Sequence, residues 1–160
     1  MRLSLLLLPL AMAATPAAAQ QKALGVYGLW GAFEGTGRCW AIAEPQGGPK
    51  GEGSKPFASV GYWPGRGVRG QLHIRLSRGK RPNSAVLLKI DDRTFQLAGG
   101  GADAWAPDPA ADAEIVAALR TGIAMSVETR STAGARVRDV YRLKGAATAI
   151  DAAAIGCARQ

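Results

Sequence analysis

The chain has 160 residues, with 20 Lys or Arg, 12 Asp or Glu and one His, and its formal net charge is +8 at pH 7. This length is typical of one domain, and a hydrophobic content of 48% argues against a disordered chain. One His and two Cys exclude most metal sites with several ligands, so the composition indicates no metal and no cofactor.

The N-terminal segment has the order of a secretory signal peptide. Arg2 precedes an apolar run at 3–14, and small residues at 17–19 stand before Gln20. A membrane-spanning helix needs about 20 apolar residues, so this run is too short for an anchor. We therefore predict a signal peptide over residues 1–19, cleaved after Ala19, and a mature domain over 20–160. The expected location is the periplasm or the medium, with no membrane span.

Two cysteines, Cys39 and Cys157, remain in the predicted mature chain. An even pair in an oxidising compartment favours one disulfide, and two buried free thiols are the alternative. A redox-active dithiol would need a close C-x-x-C pair, which this spacing does not provide.

Short β-strands dominate the predicted elements of the first two thirds of the chain. Apolar and β-branched runs separated by Gly, Pro and Asp predict strands at 26–33, 38–44, 57–63, 71–77, 84–90 and 93–98. The first two are expected to form a hairpin. Residues 45–56, rich in Gly, Pro and Lys, predict a mobile loop, and Asp91 and Asp92 predict a tight turn.

Helices enter in the last third of the chain. Asp108 as N-cap and Pro109 at the first turn predict a helix at 109–121, and the Ala-rich segment 146–156 predicts a second. Strands at 123–130 and 136–143 lie between the helices. About eight short strands and two helices indicate a mainly β, single-domain fold, an antiparallel β-sandwich or partial barrel.

The basic residues are unevenly distributed. Eight of them lie between Gly53 and Ile90, a stretch without Asp or Glu, and Tyr62 and Trp63 stand beside them. Cations next to an aromatic side chain suit an anionic envelope component or an acidic protein partner. The alternative is a solvated face that protects exposed strands from aggregation. The candidate binding residues are Tyr62, Trp63, Arg66, Arg69, Arg75, Arg78, Lys80 and Arg81.

Catalytic motifs are lacking in the sequence. His73 is predicted on the polar face of a strand near arginines, as an ordinary surface histidine. The carboxylates Asp108 and Asp112 are explained by helix capping and by the helix macrodipole. Trp30, Trp40 and Trp105 are interpreted as core anchors rather than ligand platforms. The sequence favours a protein that is not an enzyme. Export makes nucleic acid an unsuitable partner, and nothing specifies the oligomeric state.

An ordered set of motifs resembles the invasion associated locus B family of exported alphaproteobacterial proteins. Trp30 and Arg38-Cys39 match the family's early Trp and Cys, and the later motifs lie at 105–108, 114–122, 125–127, 131–134 and 139–145, followed by the Ala-rich helix to Cys157. Ala146 stands where the family pattern has an aromatic residue, which indicates a divergent member.

The resemblance implies a small, β-rich periplasmic or surface-associated domain with no catalytic residues to carry over. It implies a Cys39–Cys157 bridge and, in some members, a role in host-cell invasion or adhesion. The sequence thus favours a non-enzymatic module that binds an anionic envelope or host component. The alternatives are a small periplasmic enzyme or enzyme inhibitor and a purely structural envelope protein.

Overall fold

A computed structural model of the protein describes residues 21–47 and 55–159. The predicted signal peptide at 1–19 and most of the predicted loop at 45–56 lie outside the described residues. Within them the chain forms ten strands, two α-helices and one short 3-10 helix. The strands are β1 Lys22–Tyr27, β2 Trp30–Gly35, β3 Arg38–Ala43, β4 Phe57–Trp63, β5 Val68–Arg75, β6 Val86–Ile90, β7 Arg93–Gly100, β8 Asp103–Trp105, β9 Ala124–Arg130 and β10 Arg136–Arg142; the helices are α1 Pro109–Thr121 and α2 Ala146–Ala158, and the 3-10 helix is Pro64–Arg66.

The strands build one antiparallel sheet in the order β1-β2-β3-β4-β5-β8-β7-β6-β9-β10. The sheet curls into a half-barrel, which brings its two ends together. The Trp30 indole Nε1 donates to the Arg142 carbonyl at 3.0 Å, and the Gln46 amide donates to the Val140 carbonyl at 2.7 Å. The prediction of a mainly β partial barrel with two helices is therefore confirmed.

The single strand predicted at 26–33 is wrong in its extent, because the structure has two strands there. The run 26–33 contains a tight turn at Gly28 and Leu29, so that β1 and β2 are two strands of one hairpin. Gly28 has a φ of +61°, which a two-residue hairpin turn of this kind requires at its first position. Apolar residues on both sides of the turn hide it in the sequence. The three-residue strand β8 was too short to be predicted from its pattern.

Both helices pack against one face of the sheet, here called the helix side; the opposite face is the outer face. Helix α2 covers β1 to β4, and α1 covers β5. Buried Leu72 and Ile74 point to the helix side of β5, whereas Gln71, His73 and Arg75 alternate onto the outer face. The core therefore lies between the sheet and the two helices.

Helix α1 begins as its sequence predicts and is also tied to the sheet. The Asp108 side chain accepts from the Ala111 amide at 2.8 Å, and Pro109 occupies the first turn. Strand β8 pairs with β5 only over 73–75, so the Leu72 amide lies just beyond that pairing. Asp112 Oδ1 accepts from this amide at 2.7 Å. Asp112 thus anchors the helix to β5, a role beyond the helix-dipole interaction predicted for it.

The disulfide is present between Cys39 on β3 and Cys157 near the end of α2, with Cα atoms 5.6 Å apart. Both cysteines are buried, and 118 residues separate them along the chain. The bond holds the end of the last helix against the helix side of the sheet.

Tyr141 is the large polar side chain of the core. It is fully buried on β10, and within the described part of the chain its hydroxyl has no hydrogen-bond partner. Burial raises the pKa of this phenol above its ordinary value of 10.0, and the nearby Asp139 carboxylate raises it further. The neutral phenol is therefore the form that the folded protein retains.

Tyr141→Phe is expected to be as stable as the native protein at neutral pH, or about 1 kcal/mol more stable, because it removes an unsatisfied buried hydroxyl. Above pH 10 the Tyr141 phenol ionises in the unfolded chain but stays protonated in the fold. This group then lowers the free energy of unfolding by up to about 1.4 kcal/mol per pH unit. Urea unfolding from pH 7 upward measures both effects. A loss above about 2 kcal/mol in the variant at pH 7 would show that the hydroxyl has a stabilising partner.

Candidate functional site

The predicted basic segment 62–81 divides between the two faces of the sheet. In the sheet, Tyr62 on β4 stands opposite Cys39 on β3 and opposite Arg69 on β5. Cross-strand partners share a face, and Cys39 is bonded to α2. The side chains of Tyr62 and Arg69 therefore lie on the helix side. The pKa of the Tyr62 phenol is raised, mainly by burial. The Arg120 charge opposes this shift, and the Asp151 charge adds to it. Trp63, by contrast, lies on the outer face with its ring over Gly61.

Arg75 also lies on the outer face, but in an ion pair. Its guanidinium binds the Asp103 carboxylate, which also accepts from His73 Nε2 at 2.8 Å. Arg66 belongs to the 3-10 helix in the β4–β5 turn. The eight residues of β5 span roughly 25 Å and so separate this turn from Arg78 and its neighbours.

The candidate residues of segment 62–81 therefore do not lie on one face of the sheet, for two physical reasons. Strand residues alternate between faces, and a bulge between Gly61 and Tyr62 shifts the register of β4 against β5. A continuous charge run in the sequence thus becomes several separate groups on the surface.

One of these groups is enlarged by another part of the chain. The Arg81 amide donates to the Arg130 carbonyl at 2.8 Å, Lys80 forms a β-bridge with Ser131, and the Thr132 amide donates to the Gly79 carbonyl at 3.1 Å. The β5–β6 connection is thereby fixed against the β9–β10 hairpin. We call the cations of these two segments the basic loop cluster: Arg78, Lys80, Arg81, Arg130, Arg136 and Arg138.

The basic loop cluster is only partly neutralised. Glu128 accepts from Arg136 at 2.9 Å and from Arg138 at 3.2 Å, and it also faces Lys89 at 3.5 Å. The Arg136 hydrogen bond is the largest effect on the Glu128 carboxyl and holds its pKa below the ordinary 4.5, although burial opposes it. The carboxylate therefore stays ionised and is shared among several cations.

Arg130 and Arg136 stand directly opposite each other in the β9–β10 ladder. Like charges at opposed positions destabilise a sheet. The Arg130 guanidinium donates to the Gly134 carbonyl at 3.2 Å rather than to a carboxylate. Except for half-buried Lys80, the members of the cluster are exposed. This arrangement concentrates positive charge at the surface at a cost in stability.

Sequence reasoning missed the three arginines of the hairpin. Their segment also contains Glu128 and Asp139, which made its charge look balanced. Asp139, however, is buried and accepts from the Ser77 amide at 2.9 Å, so it contributes nothing to the exposed surface. Strand alternation alone places Arg136 and Arg138 on one face and Asp139 on the other, and this was the available signal.

His73 is more constrained than the predicted surface histidine. Its ring is stacked on Trp105 with centroids 5.1 Å apart and an interplanar angle of 5°, and the edge of Phe57 meets it at 5.1 Å. Trp105 and Trp40 lie on the outer face, so the interpretation of both as core anchors is wrong. Trp30 is fully buried, as that interpretation requires.

The described residues contain no group of three or more His, Cys, Asp or Glu side chains placed to hold a metal ion. Across 21–47 and 55–159, no helix has both the length and the apolar character needed to cross a membrane.

The chain forms an antiparallel half-barrel with two helices packed on one face. The crystal structure of invasion associated protein B from Bartonella henselae has this fold: the TM-score is 0.57, with 85% of this chain and 98% of that chain covered at 16% sequence identity. No protein-family model and no curated protein sequence matches the chain. The family resemblance of the motifs is thus supported at the level of the fold.

Proposed function

We propose that this protein is an exported, non-enzymatic module that binds a phosphate-bearing anionic surface of the bacterial envelope through its basic loop cluster. The observation that carries the proposal is the joining of two segments of the chain, which brings six cations into one region, with the Glu128 carboxylate shared by Arg136 and Arg138. The disulfide is consistent with an oxidising, extracytoplasmic location.

The form of the cluster suits an extended surface better than a small enclosed ligand. Three of its cations stand in the β5–β6 connection and three near the turn end of β9 and β10, and most are exposed, so several can meet separate headgroups at once. Basic residues near an anionic membrane each contribute about 1 kcal/mol, and the attraction falls off within a Debye length. The similar fold of an invasion associated protein supports an envelope-related role.

Binding is tested by co-sedimentation with vesicles of phosphatidylglycerol and phosphatidylcholine, and with vesicles of phosphatidylcholine alone. Arg81→Gln/Arg130→Gln should weaken binding to the anionic vesicles roughly thirtyfold, because two cations near the surface are lost. Arg66→Gln/Arg69→Gln removes the same charge at the β4–β5 turn and should leave binding within about twofold.

The two double variants separate a local site from the effect of net charge. Equal losses in both would refute the basic loop cluster as the site, as would undiminished binding to phosphatidylcholine alone. Absence of binding to either vesicle at low salt would refute an anionic lipid surface and favour an acidic protein partner.

A further inference from the structure

Three aromatic rings form a continuous surface on the outer face of β2, β3 and β4. Phe33 and Trp40 are cross-strand partners, with ring centroids 5.8 Å apart and an interplanar angle of 21°. Trp40 in turn opposes Gly61, and the ring of Trp63 lies over Gly61. We call Phe33, Trp40 and Trp63 the aromatic platform.

Glycines beneath the platform allow the rings to lie against the sheet. A Cβ atom on Gly61 would come within 2.4 Å of Trp63 Cη2, and one on Gly31 within 2.7 Å of Phe33 Cε2. Side chains ordinarily stand roughly perpendicular to a sheet. Here the Phe33 and Trp63 rings are folded along their strands and lie over these glycines.

A second aromatic group lies on the same face, with one member each on β4, β5 and β8. It consists of Phe57, His73 and Trp105, and Trp105 is 38% exposed. Neighbouring strands are about 4.8 Å apart, so Trp40 and Trp105 are separated by roughly 14 Å across the sheet. The polar side chains of Ser59 and Gln71 lie between the two groups, at positions set by the strand register.

The platform continues into a groove at its other end. Phe33 lines a cavity of about 650 Å³ together with Leu29, Ile42 and Pro45, and with Val26, which is 74% exposed. The outer face thus offers an elongated path of aromatic side chains and polar groups, longer than a single small molecule requires.

On this path the Arg75 and Asp103 charges are paired within the protein, whereas the exposed Arg38 lies over the Trp40 ring. Asp103 binds both Arg75 and His73, which leaves donors and acceptors at this position but little net charge. At the other edge, the Arg38 guanidinium sits 4.8 Å from the Trp40 centroid and adds hydrogen-bond donors. A neutral, polyhydroxylated ligand is complementary to such a surface.

We propose that the outer face is a binding site for a neutral polysaccharide chain of the cell envelope. A pyranose ring has an apolar C–H face that packs on an aromatic ring, and hydroxyls at its rim that need donors and acceptors. Successive sugar rings would rest on the platform and on Trp105, with their hydroxyls meeting Ser59 and Gln71. This site is separate from the basic loop cluster and does not depend on it.

The test is isothermal titration with a short β-1,4-linked N-acetylglucosamine oligosaccharide and with a matched glucose oligosaccharide. At least one should bind saturably, and Trp40→Ala and Trp63→Ala should each weaken its affinity roughly tenfold or more. Trp40→Phe keeps a ring face and should retain most of the affinity. Ile123→Ala removes an exposed apolar side chain elsewhere and should bind as the native protein does.

Thermal unfolding of each variant separates lost binding from lost structure, and Trp40→Phe serves where Trp40→Ala does not fold. The proposal is overturned if neither oligosaccharide binds, or if folded Trp63→Ala binds with native affinity. It is also overturned if the platform variants change the oligomeric state in sedimentation while oligosaccharide affinity is unchanged, since the face would then be a protein interface.

Discussion

Replacing both cysteines, in Cys39→Ala/Cys157→Ala, is expected to lower the free energy of unfolding by about 4–5 kcal/mol. The bond closes a loop of 118 residues, which restricts the unfolded chain over most of the predicted mature domain. It also holds the end of α2, whose helix supplies core residues over four strands of the sheet. Urea unfolding of the oxidised protein and the variant, monitored by circular dichroism, measures the difference.

Reduction provides the control for this prediction. A reducing agent should destabilise the native protein to about the level of the variant and leave the variant itself unchanged. A difference below about 1 kcal/mol between the oxidised protein and the variant would mean that the loop closure contributes little to stability.

Gly145→Ala is expected to destabilise the fold by about 4 kcal/mol or more, or to prevent folding at 37 °C. Gly145 precedes α2 with a φ of +92°, a conformation that L side chains rarely adopt. A Cβ atom there would lie 1.7 Å from the Tyr27 carbonyl oxygen, in the turn between β1 and β2. Because the obstacle is backbone on both sides, no side-chain rotation relieves it. Thermal unfolding measures the loss.

Gly65→Ala is the matched control for this substitution. Gly65 lies in the short 3-10 helix, without a left-handed φ, and a Cβ atom there meets nothing within 4 Å. The control should unfold within about 1 kcal/mol of the native protein. If Gly145→Ala were as stable as Gly65→Ala, the close approach of the hairpin turn to the start of α2 would not exist in solution.

Local signals in the sequence predicted the elements well where they were strong. The Asp108 cap and Pro109 place the start of α1, and the strand at 57–63 is found with those bounds. The β1–β2 turn was missed because Gly28 and Leu29 lie inside a continuous run of apolar and aromatic residues. The Asp112 anchor could not be foreseen, because its partner amide is 40 residues away in the chain.

The candidate site was predicted only in part, because charge in a sequence is not charge on a surface. Register decides which face each arginine occupies, and long-range hydrogen bonds such as Arg81 to Arg130 decide which segments meet. Arg78, Lys80 and Arg81 were in the predicted set and remain in the proposed one. Arg66 and Arg69, at the other end of β5, now serve as controls.

Chemical footprinting of arginine side chains most directly tests whether the basic loop cluster is the binding site. Phenylglyoxal modification, read by mass spectrometry, is compared for the free protein and for the protein bound to phosphatidylglycerol vesicles. We expect Arg81 and Arg130 to be protected on the vesicles, while Arg66 and Arg69 react at unchanged rates. Protection of the β4–β5 turn instead, or uniform reactivity at all four positions, would contradict the proposed binding site.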